Sequence, residues 1–378
     1  MISLKDCSIR VIVFLLIGWV GFPCLSYSQG AGGGLSSTDG RRFRIAVYPV
    51  ENLSGTMAPL KEIKQTFIEK LKDQGFDVLE EESFQTFLEK NRIRYTGGVD
   101  KTVAKAFKEE TGTDGILITS LELYSTANPP KCSLISRLVS TGDDPNILWI
   151  DGAGLAGDDA PGFLGLGLIE DPVRLLNHGV DSIMASLARY LSTQRDAGSP
   201  QGAKKKYQPK LFYRSPQWDP SEKITVAVLP FFNVSGRRYA GEIMVYHFIW
   251  QFQRFENFNM VEPGVIRQAL FRLRLIMDEG VSLSDVDSVS SVLDSDLILS
   301  GRVMDYQDYQ GDTGTPIVDF SAQLIDRKTR DVVWSSDSRN TGDDGVFFFD
   351  RGRVNTAHAM TSQMVQAVGA LILRKGVK

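Results

Sequence analysis

The stretch "VAVLPFFNVSG" (226–236) nearly repeats "IAVYPVENLSG" (45–55). Six of the eleven positions are identical: Ala46/Ala227, Val47/Val228, Pro49/Pro230, Asn52/Asn233, Ser54/Ser235 and Gly55/Gly236. Each begins as a short apolar run ended by a proline, which cannot donate to a strand ladder. The Asn-x-Ser-Gly that follows is turn chemistry, because Asn and Ser side chains bond nearby backbone and glycine tolerates positive φ. The echo continues downstream. "GFDVLEE" (75–81) parallels "NFNMVEP" (257–263), "TDGILITSLELY" (113–124) parallels "SDLILSGRVMDY" (295–306), and Trp149 parallels Trp334. Solenoid repeats have far shorter periods, so this one predicts two copies of a domain.

Working outward, each copy reads as the same series of elements. Leu60, Ile63, Phe67 and Leu71 fall at helical spacing after the first turn, and Gly75 closes that helix. The strand "FDVLE" leads to a helix with Phe84, Phe87 and Leu88 inward. Asp100 then caps a helix carrying Val103 and Phe107, closed by Gly112. A long strand and a hairpin follow: 133–139 with 147–151 in the first copy, 319–326 with 332–337 in the second. A closing amphipathic helix buries Val173, Leu176, Val180, Ile183, Leu187 and Leu191 in the first copy; in the second it buries Met360, Met364, Val368 and Leu371. The order β-α-β-α-α-β-β-β-α, twice, predicts an α/β (α+β) protein: two tandem copies of a small mixed β-sheet flanked by helices.

The flanking segments set the expected boundaries. Lys5 and Arg10 precede the apolar run 11–20, and Ser26-Tyr27-Ser28 ends the segment, so 1–28 reads as a Sec signal peptide. Cys24 offers a rival lipoprotein site, although Gly21 and Pro23 stand where such sites carry a branched aliphatic and a small residue. The remaining expectations are a Gly/Ser-rich tether at 29–43, a first domain at 44–192, a Pro/Gly/Lys linker at 193–221 with its solvated "KKKY" (204–207), and a second domain at 222–376. The expected location is the periplasm, or the outer membrane if Cys24 is lipidated; membrane association requires that lipid or an uncleaved signal.

With 42 basic and 46 acidic residues, a formal charge of −4 and no clustered basic face, nucleic acid is excluded as a partner. Of three cysteines, Cys7 and Cys24 lie in the signal and Cys132 stands alone, which rules out an intramolecular disulfide in the mature chain.

No site for chemistry emerges from motif or spacing. His178, His247 and His358 form no familiar metal spacing, and no nucleophile elbow or phosphate loop is present. "TGDD" (141–144 and 341–344) reads as turns. The glycine-rich 152–168 reads as a loop whose acids argue against phosphate. The chain is therefore expected to be no enzyme and to need no cofactor or metal. Two aromatic groups are the expected partner contacts. Seven aromatics between Tyr239 and Phe258, including Phe248, Trp250, Phe252 and Phe255, cannot all share one helical stripe, so some face the other domain or another molecule. Phe347, Phe348 and Phe349 follow the last hairpin as a core-covering strand or a docking edge.

The opening "VAVLPFFNVSG", the strand "LDSDLILSGRV" (293–303) and the hairpin end "IDRKTRDVVW" (325–334) together resemble a family of bacterial envelope proteins: the CsgG, LpoB and TolB N-terminal-domain group. The resemblance covers both copies, the second better than the first. It implies a non-catalytic exported module acting by contact with an envelope protein, or a homo-oligomeric ring component of a secretion or lipid-transport system. Relatives that form secretion pores carry membrane-spanning hairpins, and the alternating apolar segments these require are missing from this sequence.

Overall fold

The computed structural model describes residues 42–160, 167–193, 204–219, 221–275, 282–309, 314–346 and 352–373. The signal segment with Cys24, residues 29–41 of the tether and Phe347, Phe348 and Phe349 lie outside the described residues, while Phe43 at the tether's end packs against the core of the first half.

The first half runs β1 (Arg44–Val47), β2 (Glu51–Asn52), α1 (Leu60–Asp73), β3 (Asp77–Val78), α2 (Glu81–Lys90), α3 (Lys101–Thr111), β4 (Gly115–Ser125), β5 (Lys131–Ser140), β6 (Ile147–Ala156) and α4 (Pro172–Thr193). After β7 (Leu211–Arg214) the series recurs. It runs β8 (Ile224–Val228), β9 (Phe232–Asn233), α5 (Ala240–Phe252), β10 (Phe258–Met260), α6 (Pro263–Leu273), α7 (Leu283–Leu293), β11 (Leu297–Gln307), β12 (Ile317–Asp326), β13 (Val332–Thr341) and α8 (Ala357–Ile372). Sheet 1 has the order β3-β1-β4-β5-β6 with β2 also on β4; sheet 2 has β10-β8-β11-β12-β13-β7 with β9 also on β11. The opening strands pair in parallel with their neighbours, and the long hairpins pair antiparallel. The expected fold class, mixed sheets flanked by helices, is what the chain adopts.

Local chemistry explains several element ends. In both turns an Asn carboxamide oxygen accepts from the Ser hydroxyl at 2.6 Å, Asn52 from Ser54 and Asn233 from Ser235. Gly55 takes φ +72°, as the turn reading expects, whereas its counterpart Gly236 does not take a positive φ. The Asp100 side chain accepts from Val103 N at 3.0 Å, and Gly112 ends α3 at φ +65°. Four hydrophobic clusters then place the layers. The α1/α4 layer covers one face of sheet 1, and α2/α3 cover one end of its other face. The α5/α8 layer and α6/α7 stand in the same relation to sheet 2.

Three expectations need correction. The stretch expected as solvated linker contributes β7, which pairs antiparallel with β13, and buries Tyr207 to 1 % exposure. Lys206 from "KKKY" donates to the carbonyls of Asp344 and Gly352 instead of standing free in water. Strand β6 continues through "GAGLA" to Ala156, so the glycines expected in a loop begin as strand residues. Val173 is exposed, because it sits in the first turn of α4, beyond the buried stripe that starts at Leu175 and Leu176.

Candidate functional site

Helix α5 is apolar all round, and of its thirteen residues only Glu242 is not buried. A helix of that kind must be covered on every side. One side packs on sheet 2 and the other on sheet 1, where Ile135, Ile147 and Ile150 join the same cluster. The α5/α8 layer is thus sandwiched between the two sheets. Phe248, Trp250 and Phe252 are buried there, so these three are occupied within the chain and offer no surface for a partner, while Phe255 packs half-buried against the cluster.

Polar groups stitch this seam. Arg137 on β5 donates to Glu262 at 3.0 and 3.1 Å and to the Gly97 carbonyl at 2.7 Å, with both charged side chains fully buried. Tyr246 on α5 donates to Glu51 at 2.8 Å, and Glu51 also accepts from Ser120. Arg237, just after the second Asn-x-Ser-Gly turn, donates to the carbonyl of Ser54 in the first such turn at 2.9 Å and to the Glu122 carbonyl. The residue that follows the second copy of the opening motif is therefore bonded to the first copy. Gly264 lets the two halves approach closely: a Cβ there would stand 2.2 Å from Val99 N.

Sequence spacing missed one group in the seam. Glu122 on β4, His247 on α5 and His358 on α8 converge, all buried, with one ligand-type atom from each within 4.8 Å of the others. Glu122 Oε2 lies 2.6 Å from His358 Nδ1 and 3.4 Å from His247 Nε2. The His358 ring rests against the backbone of β6, where a Cβ at Gly154 would stand 2.5 Å from its Cδ2. The glycines of "GAGLA" are the sequence signal for this fit. His178, which the sequence places level with His358, is exposed on α4 and has no such partner.

Burial pushes the Glu122 carboxyl up, but the two imidazoles outweigh it and hold the group below the usual carboxylate range. Burial also lowers the His247 imidazole, more than Glu122 raises it. Both shifts have the same consequence. The unfolded chain takes up a proton near the ordinary histidine value of 6.5, and another near the ordinary carboxylate value of 4.5, that the folded chain refuses. Stability contributed by the cluster is present at neutral pH and is lost as pH falls through those values. Thermal melts from pH 7.5 to 4.5 should show the wild type falling more steeply than His247→Gln, by up to ~1.4 kcal/mol per pH unit from this one group. Parallel curves would contradict it.

The second site is on the surface. The face of sheet 1 that carries Ser120, Ile135, Arg137 and Ile150 is wholly buried beneath the second half. By register, the same face of sheet 2 carries Ser300, Arg302, Ser321, Gln323, Ser335 and Asp337. Among the described residues, only α6 and α7 cover part of it. Burial along the strands records the difference: β5 is buried at nearly every position, whereas β12 alternates as a half-solvated strand does. At the rim of this face runs the edge strand β7, with Leu211, Phe212 and Tyr213 exposed by 69, 55 and 51 %. Phe212 stacks on Trp334 at 5.2 Å, while Leu211 and Tyr213 pair in register with Asp337 and Ser335 and line the open groove.

The remaining candidates are quiet. Burial pushes the lone Cys132 thiol up to about 12, which leaves it unreactive. No helix among the described residues is long and apolar enough to cross a membrane.

No family model matches the sequence, and no curated protein matches it. Solved structures do. A PelC dodecamer from Paraburkholderia phytofirmans matches with 16 % identity, over 44 % of this chain and 97 % of that one, at a TM-score of 0.29. The lipoprotein GNA1162 from Neisseria meningitidis matches with 20 % identity, over 38 % of this chain and 98 % of that one, at a TM-score of 0.29. The LpoB C-terminal domain from Escherichia coli matches with 14 % identity, over 31 % of this chain and 82 % of that one, at a TM-score of 0.24.

Proposed function

We propose that this protein is a non-catalytic assembly module of the bacterial cell envelope, working by protein–protein contact through the open face of sheet 2 and its edge strand β7. The observation that carries the reading is the contrast between the two sheets. One face of sheet 1 is sealed by a two-helix layer, and the equivalent face of sheet 2 has kept a solvated, mixed-charge surface bordered by three exposed apolar side chains. Exposed edge strands recruit other chains, and aromatic residues in such positions anchor interfaces. The occupant this geometry fits is a helical layer of a partner protein, seated as α5 and α8 sit on sheet 1. Export to the envelope rests on the signal-like composition of residues 1–28 and on the motif resemblance.

A photo-crosslinkable residue at Tyr213 in the full chain, in cells, tests this. A distinct heterologous protein should be captured, and Arg302→Glu with Leu211→Ser should abolish its capture while stability changes by no more than ~0.5 kcal/mol. Capture unaffected by those changes, or robust turnover of envelope substrates by the purified chain, would overturn the reading.

A second reading has its own observation. Helix α1 takes the place of α5 in the first half, and its outer face is polar, with Lys61, Glu62, Gln65 and Glu69 exposed or half-exposed. A second copy could lay α1 and α4 on the mixed-charge face of sheet 2, a heterologous contact that closes into a ring or extends as a filament. Self-crosslinks alone, with a mass by light scattering that grows with concentration, would select this reading.

A further inference from the structure

The cluster of Glu122, His247 and His358 is incomplete as a hydrogen-bonded group. Only one of its contacts is a hydrogen bond, between His358 and Glu122 at 2.6 Å. Glu122 Oε1, His247 Nδ1, His247 Nε2 and His358 Nε2 are all buried without a partner. Buried polar atoms are almost always satisfied by protein, water or an ion, and each orphan costs on the order of 1–3 kcal/mol. With one ligand-type atom from each of three separate elements already within 4.8 Å of the others, these orphans indicate a missing shared partner.

We propose that the cluster is a site for a single divalent transition-metal ion, zinc in the first instance, held by the Glu122 carboxylate and one ring nitrogen each from His247 and His358. Two imidazoles and a carboxylate form a typical zinc donor set. The 3.4 Å between His247 Nε2 and Glu122 Oε2 is close to the ligand–ligand edge of about 3.3 Å that follows from bonds of about 2.0–2.1 Å in a tetrahedron. The ion takes the place of the hydrogen bond between His358 and Glu122, and the neutral His358 ring keeps its one proton on the nitrogen that does not bind the ion. Arg237 braces the strand at the Glu122 carbonyl, and the β6 glycines let the His358 ring lie flush against the sheet. Because the carboxylate belongs to the first half and both imidazoles to the second, the ion acts as a staple across the seam.

The test uses the full chain, unfolded in guanidinium with chelator and refolded with or without one equivalent of zinc, so that burial does not block loading. The expected result is about one zinc per chain after dialysis and a higher melting temperature than the metal-free protein, with stabilisation growing with free zinc as linkage requires. Cobalt in its place should give visible d–d absorption and quench Trp250, whose ring lies 5.6 Å from that of His358 and 6.0 Å from that of His247. His247→Gln should bind at least ~10–100-fold more weakly. Wild type that refolds but retains no zinc and gives no cobalt spectrum would overturn the proposal. So would zinc retained equally by His247→Gln, which would place the ion elsewhere. If His247→Gln does not refold, Glu122→Gln serves as the second variant, with the same expected loss.

Discussion

Replacing Arg137 by leucine is expected to cost about 3–5 kcal/mol of folding stability, the range for breaking a buried ion pair from one side. Glu262 is the reason. Its carboxylate is fully buried and accepts twice from Arg137, and the amides of Val99 and Gly264 reach Oε1 only at 3.3 and 3.4 Å. Without the guanidinium, two long amide contacts remain to hold a full negative charge away from water, and the Gly97 carbonyl loses its 2.7 Å donor. The loss is that of an orphaned charge, and it does not measure the net worth of the pair. Arg137→Leu combined with Glu262→Gln, which removes the charge but keeps an acceptor for the two amides, should recover much of the stability. Guanidinium unfolding of the four proteins measures both terms. Because Arg137 and Glu262 stand on opposite sides of the seam, the single variant should also separate one unfolding transition into two. A loss below ~1 kcal/mol would mean that water replaces the arginine and that the seam is looser than its burial implies.

Much of the architecture is legible in the sequence, because strand and helix periods report how each element sits on its own sheet. The proline-ended strands, the Asn-x-Ser-Gly turns and the Asp100 cap are local, and the chain obeys them. What periodicity does not report is the coverage of a sheet's second face. Strand β5 reads no differently from β12 in hydrophobicity, yet one is sealed and the other open. The cluster at Glu122 escaped for a related reason: His358 stands 236 positions from Glu122, and no spacing rule joins them. The small residues of "GAGLA" marked the place, but glycine in a run signals a loop as readily as a close approach. Strand β7 escaped because four residues in a Pro- and Lys-rich stretch pair only once β13 is in place beside them.

The aromatic window was the strongest sequence signal, and its physical meaning is settled by what Phe248→Ala should do. Phe248 is fully buried, stacked on Phe231 at 5.2 Å and edge-on to Phe252 and Phe320 at 5.5 and 5.9 Å. Truncation removes a ring from the middle of that group and leaves a cavity that the flanking sheet and helix cannot both move to fill. The expected cost is about 3–5 kcal/mol, read as a large drop in the unfolding midpoint. Tyr213→Asp, at an exposed edge, is expected to change stability by no more than ~0.5 kcal/mol. The two variants thus separate roles that composition alone merges. Losing an aromatic that packs α5 onto sheet 2 lowers stability and takes every contact down with it, whereas losing one that meets a partner removes that partner from an intact fold. If Phe248→Ala left the midpoint within ~1 kcal/mol of wild type, α5 would not be the packed layer on sheet 2 that these ring contacts describe.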